Sequence, residues 1–247
     1  NKINWPSIRG QMEKGSGNEL KSKFMSLSSS SAIAVNAFGF FCNSNTLIWP
    51  NVKGQFNSPL FEVQLENGLN GTNPNLDVLI ENETTIVAIE CKFLEPLKHT
   101  IPKFSKQYLN IKDSRNNSGW FKLLRAIYHG EKYYKEVYIP QLTKHLDVAQ
   151  LIKHFMGLSF NPKVPKKELK LAYVYWEPGK KIKDDLKISS IYDEHKESCE
   201  NLSKLVEDDR VSFEDYSYFE LINFWRKKVG GSKLERYFNE FDDKYRI

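Results

Sequence analysis

The stretch NLDVLIENETTIVAIECKF, residues 75 to 93, constrains the fold more than any other part of the chain. Two apolar runs flank a polar turn, the pattern of a β-hairpin. Yet Asp77 interrupts the first run, and Glu90 and Lys92 interrupt the second. Charges inside a buried strand pair are costly unless they are paired or take part in chemistry. Side chains alternate faces along a strand. Val87, Ile89, Cys91 and Phe93 therefore share one apolar face of the second strand, and Ile86, Ala88, Glu90 and Lys92 the other. On the first strand Leu76, Val78 and Ile80 form the apolar face, opposite Asn75, Asp77, Leu79 and Glu81. A two-residue loop at Asn82-Glu83 pairs Glu81 with Thr84 and sets Asp77 across from Ala88, diagonal to Glu90. A loop one residue longer breaks this parity and separates the charges.

The elements around the hairpin set its context. A first helix is expected from about Gly17 to Ala37, started by the capping box of Ser16 and Glu19 and carrying Leu20, Phe24 and Leu27 at helical spacing. The tract SLSSSS, Ser26 to Ser31, falls inside that helical pattern. Strands are expected at Leu60–Leu65, Leu76–Glu81 and Thr85–Phe93, followed by an insert of helices and loops over 95–140. Gln141 to Leu158 reads as an amphipathic helix with Leu142, Leu146, Ala149, Ile152, Phe155 and Met156 on one stripe. Leu169 to Trp176 reads as a buried strand, residues 183–209 as a charged helix, and VSFEDYSYFELINFWRKK as a strand or turn running into a helix. The order α-β-β-β-(insert)-α-β-α predicts a single α/β domain over 1–247, with a mixed central sheet flanked by helices.

Composition narrows the classes further. The 247 residues are 40% apolar and 27% charged, and no apolar run reaches the roughly 18 residues of a membrane span. Asn1 to Gly10 lack the layout of a secretory signal, which predicts an intracellular, cytoplasmic protein. Three scattered cysteines, Cys42, Cys91 and Cys199, give neither a disulfide framework nor a zinc cluster. Nucleotide-binding glycine loops are absent from the sequence. The net charge of +5 is unevenly spread. From Lys98 to Lys135 nine basic residues face two acids, with Phe104, Tyr108, Trp120, Phe121, Tyr128, Tyr133 and Tyr134 interleaved. Such a segment suits the phosphate backbone of a nucleic acid, with Lys98, Lys103, Lys106, Lys112, Arg115, Lys122 and Arg125 as contacts and the aromatics as stacking surfaces.

Two carboxylates and a lysine meeting on one sheet face have a chemical use. A hard cation such as Mg²⁺ or Mn²⁺ takes one or two carboxylates together with substrate phosphate. Asp77 and Glu90 supply the carboxylates, the backbone carbonyl of Cys91 completes the protein ligands, and Lys92 orients an attacking water or neutralises developing charge. The structural alternative is an ion-pair cluster on a solvated sheet face. Cys91 reads as a core thiol, and His145 and His154 read as helix-face residues.

At Asp77 and Glu90-Cys91-Lys92 the chain resembles the PD-(D/E)xK nuclease superfamily, whose fold is restriction-endonuclease-like. Leu76 stands where the motif's name has Pro. The resemblance covers about 17–93 and 141–176 and leaves the insert and the extension over 183–247 outside. It implies a metal-dependent nuclease acting on phosphodiesters, in DNA before RNA, and an endonuclease before an exonuclease. It further implies an acid on the first helix facing the metal, matched by Glu19, and a polar residue on the helix after the third strand, matched by Gln150. A homodimer is compatible with the sequence. The competing expectation is a module of the same fold that binds nucleic acid or a partner without cleaving.

Overall fold

A computed structural model describes residues 5–14, 24, 29–44, 46–67, 69, 73–98, 108, 118–129, 142, 144–160, 166–207 and 209–246. Its centre is one five-stranded sheet in the order β1-β2-β3-β4-β5. The strands are β1 (Leu60–Gln64), β2 (Asn75–Glu81), β3 (Thr85–Lys92), β4 (Glu168–Tyr175) and β5 (Val211–Ser217). β1–β2 and β2–β3 are antiparallel, while β3–β4 and β4–β5 are parallel. A helix crosses between each parallel pair, as a right-twisted sheet requires. The architecture is thus the mixed α/β sheet flanked by helices that the element order predicts, and the fold is restriction-endonuclease-like.

Eight α-helices lie around the sheet among the described residues: α1 (Trp5–Lys14), α2 (Ser30–Phe38), α3 (Gly119–His129), α4 (Val148–Phe160), α5 (Lys180–Leu186), α6 (Ser189–Leu205), α7 (Tyr218–Lys228) and α8 (Ser232–Tyr245). α4 and α6 cover the face that carries Glu90 and Tyr173, through His154 and His195. α3 joins them there, with Trp120 stacked on Phe155 and edge-on to Phe213. α7 and α8 cover the opposite face, where Tyr218 meets Cys91 and Tyr245 meets Phe93. Phe38 of α2 packs on Trp225 of α7. Every residue of β3 is buried, as expected of a central strand covered on both faces. The outer strands are closed by side chains. Gln11 accepts the Phe61 N–H of β1, while Trp120 and Ser203 donate to the Val211 and Phe213 carbonyls of β5.

The strand boundaries fall within a residue of expectation, but the turn is displaced. The β2–β3 ladder reaches Glu81↔Ile86 and the Asn82 N–H donates to the Thr85 carbonyl (3.0 Å), so the two-residue loop is Glu83-Thr84, one position later than Asn82-Glu83. Asn82 favours this: its side-chain oxygen accepts the N–H groups of Thr84 (3.0 Å) and Thr85 (2.8 Å), which fixes it as the residue before the loop. The register shifts by two, which preserves parity.

Three helix boundaries also differ. α2 starts at Ser30 with Ser29 as its cap, the Ser29 hydroxyl accepting from Ala32 N (3.1 Å), so Ser29 stands before the helix and Ser30 and Ser31 open it. The proposed box of Ser16 and Glu19 lies outside the described residues. α4 starts at Val148, because Asp147 accepts the Gln150 N–H (3.1 Å). Leu142 and Leu146 are nonetheless buried with the rest of the predicted stripe. The charged helix of 183–209 is two helices broken at Lys187, which adopts a left-handed φ of 55°. α1 and α8 were not anticipated, since neither belongs to the α-β-β-β-α-β order that the hairpin suggested.

Candidate active site

The hairpin's shifted register brings its charges closer together than a loop at Asn82-Glu83 would. The β2–β3 ladder runs as far as Val78↔Ile89, and continuing its register sets Asp77 opposite Glu90 instead of Ala88. There a side chain takes over from the backbone: the Cys91 N–H donates to Asp77 Oδ2 at 2.7 Å. Glu90 is 1% exposed and Lys92 7%, so the pair does not sit on a solvated sheet face. Lys92 Nζ lies 2.5 Å from Glu90 Oε1.

Helix α4 holds this pair from above. Gln150 Oε1 accepts from Lys92 Nζ at 2.6 Å, and His154 Nε2 lies 2.7 Å from Glu90 Oε2. Residues four apart face the same way on a helix, so one turn of α4 reaches both members of the E-x-K. The helix approaches this closely because position 157 is glycine: a Cβ there would stand 2.5 Å from Leu65 Cβ. His154 is fully buried, contrary to its reading as a helix-face residue. The signal available in the sequence was its spacing of four from Gln150.

Electrostatics separate the two acids. Burial raises the Asp77 carboxyl well above the usual carboxylate range, and the Glu90 charge raises it further. Lys92 and the Cys91 N–H pull the other way without prevailing. Burial also opposes ionisation of Glu90, but Lys92 and His154 outweigh it and hold Glu90 below its ordinary value. Lys92 stays protonated: burial disfavours its charge, and Glu90 and Asp77 more than compensate. Two facing carboxyls with opposite shifts are the arrangement in which acid and base roles divide.

A third acid stands in the same row. The rungs Phe61↔Val78 and Val63↔Leu76 bracket Glu62, placing it beside Asp77 on β1. Glu62 is buried, adopts a left-handed φ of 51° in mid-strand, and its charge contributes to raising Asp77. Ser31 (3.2 Å) and Asn75 (3.5 Å) donate to its two oxygens. A non-glycine residue in that region is strained by about 1–3 kcal/mol, a cost that clusters at functional sites. Glu95 adds a fourth acid, accepting the Phe93 N–H (2.7 Å) and the Ser30 hydroxyl, with its charge felt by Lys92. Neither acid was singled out from sequence, because the rows depend on a register that the sequence does not state.

Asp77 and Glu90 are the pair that could hold a hard cation. One or two protein carboxylates suffice for Mg²⁺, and unequal carboxyls crowded by further acids are the donor chemistry such an ion relieves. Among the described residues no group of three or more His, Cys, Asp or Glu is arranged as a ready cage. Cys91 contributes its N–H to Asp77 while its thiol is buried on the other face.

The basic segment comes out differently. Lys98 and Lys122 are exposed and Arg125 is half-buried, while Lys103, Lys106, Lys112 and Arg115, like Glu19, lie outside the described residues. Its aromatics are not free to stack bases where they are described. Trp120, Phe121 and Tyr108 are core residues, Tyr108 bonded to Asn67 and Trp120 to the Val211 carbonyl. Interleaving with lysines here marks one buried and one exposed helix face. Among the described residues no helix is long and apolar enough to cross a membrane.

A family model described as Restriction Endonuclease associating with ARP matches residues 2–246. The comparisons with curated proteins and with solved structures return no significant match.

Proposed function

The chain belongs to the family described as Restriction Endonuclease associating with ARP, and we propose that it is a divalent-metal-dependent nuclease that hydrolyses phosphodiester bonds in DNA. The observation that carries this reading is Asp77 fixed by the Cys91 N–H beside the buried Glu90–Lys92 pair. Asp77 and Glu90 would hold Mg²⁺ or Mn²⁺, with the Cys91 carbonyl as a further oxygen. A bound ion of this kind lowers the pKa of its water and stabilises charge on a phosphoryl oxygen. Lys92, kept charged by its neighbours and fixed by Gln150, is placed to neutralise that developing charge. Lys98, Lys122 and Arg125 are candidates for backbone phosphates.

One observation favours a second reading, a module that binds nucleic acid or a partner without cutting. Both Glu90 oxygens are already occupied, by Lys92 and His154, so its charge is compensated by protein groups alone. The family's description names an association with ARP, and such a partner fits either reading.

The test is cleavage of plasmid DNA in Mg²⁺ by the wild type, Glu90→Gln and Lys92→Met. Both variants keep the side-chain volume but strand the partner's charge, at about 3–5 kcal/mol, so a cooperative melt is required of each. The nuclease reading expects cutting that is lost in both variants and abolished by a chelator. Undiminished cutting by folded Lys92→Met protein would refute it, and DNA binding without cutting by the wild type would favour the module.

A further inference from the structure

We infer that His154 is a positioning residue of this site, acting through Glu90; the inference rests on the nuclease reading above. Each of the three charged groups of the hairpin is held by one partner outside the Glu90–Lys92 pair. Asp77 is fixed by the Cys91 N–H, Lys92 by Gln150, and Glu90 by His154. A carboxylate ion-paired to a lysine only accepts hydrogen bonds, so the proton on the shared edge belongs to His154 Nε2. Among the described residues the other ring nitrogen, Nδ1, is buried with no hydrogen-bond partner, and the imidazole's one polar engagement there is with Glu90. Lys92 takes Oε1 and His154 takes Oε2, which sets the rotation of the carboxylate about its last bond. Charge-assisted donors in a dry setting are the strong ones. The remaining member of the clamp, Gln150, lies one turn earlier on α4, so the helix fixes Glu90 and Lys92 relative to each other. Groups that orient ligating carboxylates typically matter by roughly 10- to 100-fold in metal affinity or activity.

The experiment compares the 247-residue wild type with His154→Gln and His154→Leu. Each protein is checked for a cooperative melt, titrated with Mn²⁺ by calorimetry, and assayed for kcat and KM on supercoiled plasmid. The expected result is a fall of roughly 10- to 100-fold in Mn²⁺ affinity and kcat for His154→Leu, with KM for DNA unchanged. His154→Gln keeps an N–H donor and recovers most of both. Should His154→Leu not fold, His154→Asn, whose amide is too short to reach Glu90, takes its place under the same expectation. A folded His154→Leu or His154→Asn protein with wild-type kcat and Mn²⁺ affinity overturns the positioning role. A His154→Gln protein that does not fold also overturns it, since the residue then serves the core alone. A wild type that neither takes up Mn²⁺ nor cuts overturns the reading of the site itself, and the role of His154 with it.

Discussion

Asp77 is the residue at which function and stability pull apart. Its carboxyl is raised by burial and then by Glu90, so ionising it is harder in the folded chain than in the unfolded one. Between the ordinary carboxyl range near pH 4 and the raised folded value, the folded state retains the proton longer than the unfolded state. Stability therefore falls as pH rises through that window, and the cost is fully present above it. Asp77→Asn removes the charge, and its side-chain oxygen can still accept the Cys91 N–H. The expected outcome is a higher melting temperature than wild type at pH 8, with the advantage shrinking towards pH 4. A melt of both proteins across that range checks it; a destabilised Asp77→Asn at pH 8 would contradict the electrostatics. What the sequence disclosed at this scale was which residues matter and that they share a face. Their directly opposed positions were hidden, because the Asn82 side chain moves the two-residue loop one position along the chain. Glu62 was hidden for the same reason, and its left-handed backbone leaves no mark in the sequence.

At the scale of elements, α4 turns a charged hairpin into a site, and its approach depends on Gly157. Alanine there gains about 1 kcal/mol of helix propensity, but its Cβ would press into Leu65. Overpacking of a tight contact costs about 1–3 kcal/mol, so Gly157→Ala should lower stability on balance. It should also loosen the grip of Gln150 and His154, reducing activity further than the stability loss explains. Denaturant unfolding alongside kcat separates the two effects. The helix α7 gives a plainer case. Ser217 and Glu220 form a capping box, so Ser217→Ala should cost about 1 kcal/mol in the same measurement. Strands were legible to within a residue because apolar alternation marks them directly. Helix starts were less so, because Ser29 and Asp147 cap from positions that the apolar stripe does not mark.

Over the whole molecule, the sheet has one end committed to charge and a core that cannot accept more. His195, buried between α6 and β4 against Tyr173 and Tyr175, shows this: burial first, then the nearby His145, depress its pKa to about 3. The unfolded histidine titrates near 6.5, so the unfolded chain takes the proton first and stability falls as pH drops from there towards 3. His195→Leu should flatten this acid limb of the melting curve, whereas an unchanged acid dependence would place its origin elsewhere. The α/β class and the mixed sheet were legible from element order. The basic-aromatic segment misled in part, since lysines on one face of α3 accompany Trp120 and Phe121 on its buried face. The central claim is that Asp77 and Glu90 share one cation, and a crystal soaked in Mn²⁺ tests it most directly. The expected result is an anomalous peak within coordination distance, about 2.0–2.6 Å, of both carboxylates. Full occupancy of Mn²⁺ elsewhere, with Glu90 still bound to Lys92 and His154, would contradict it.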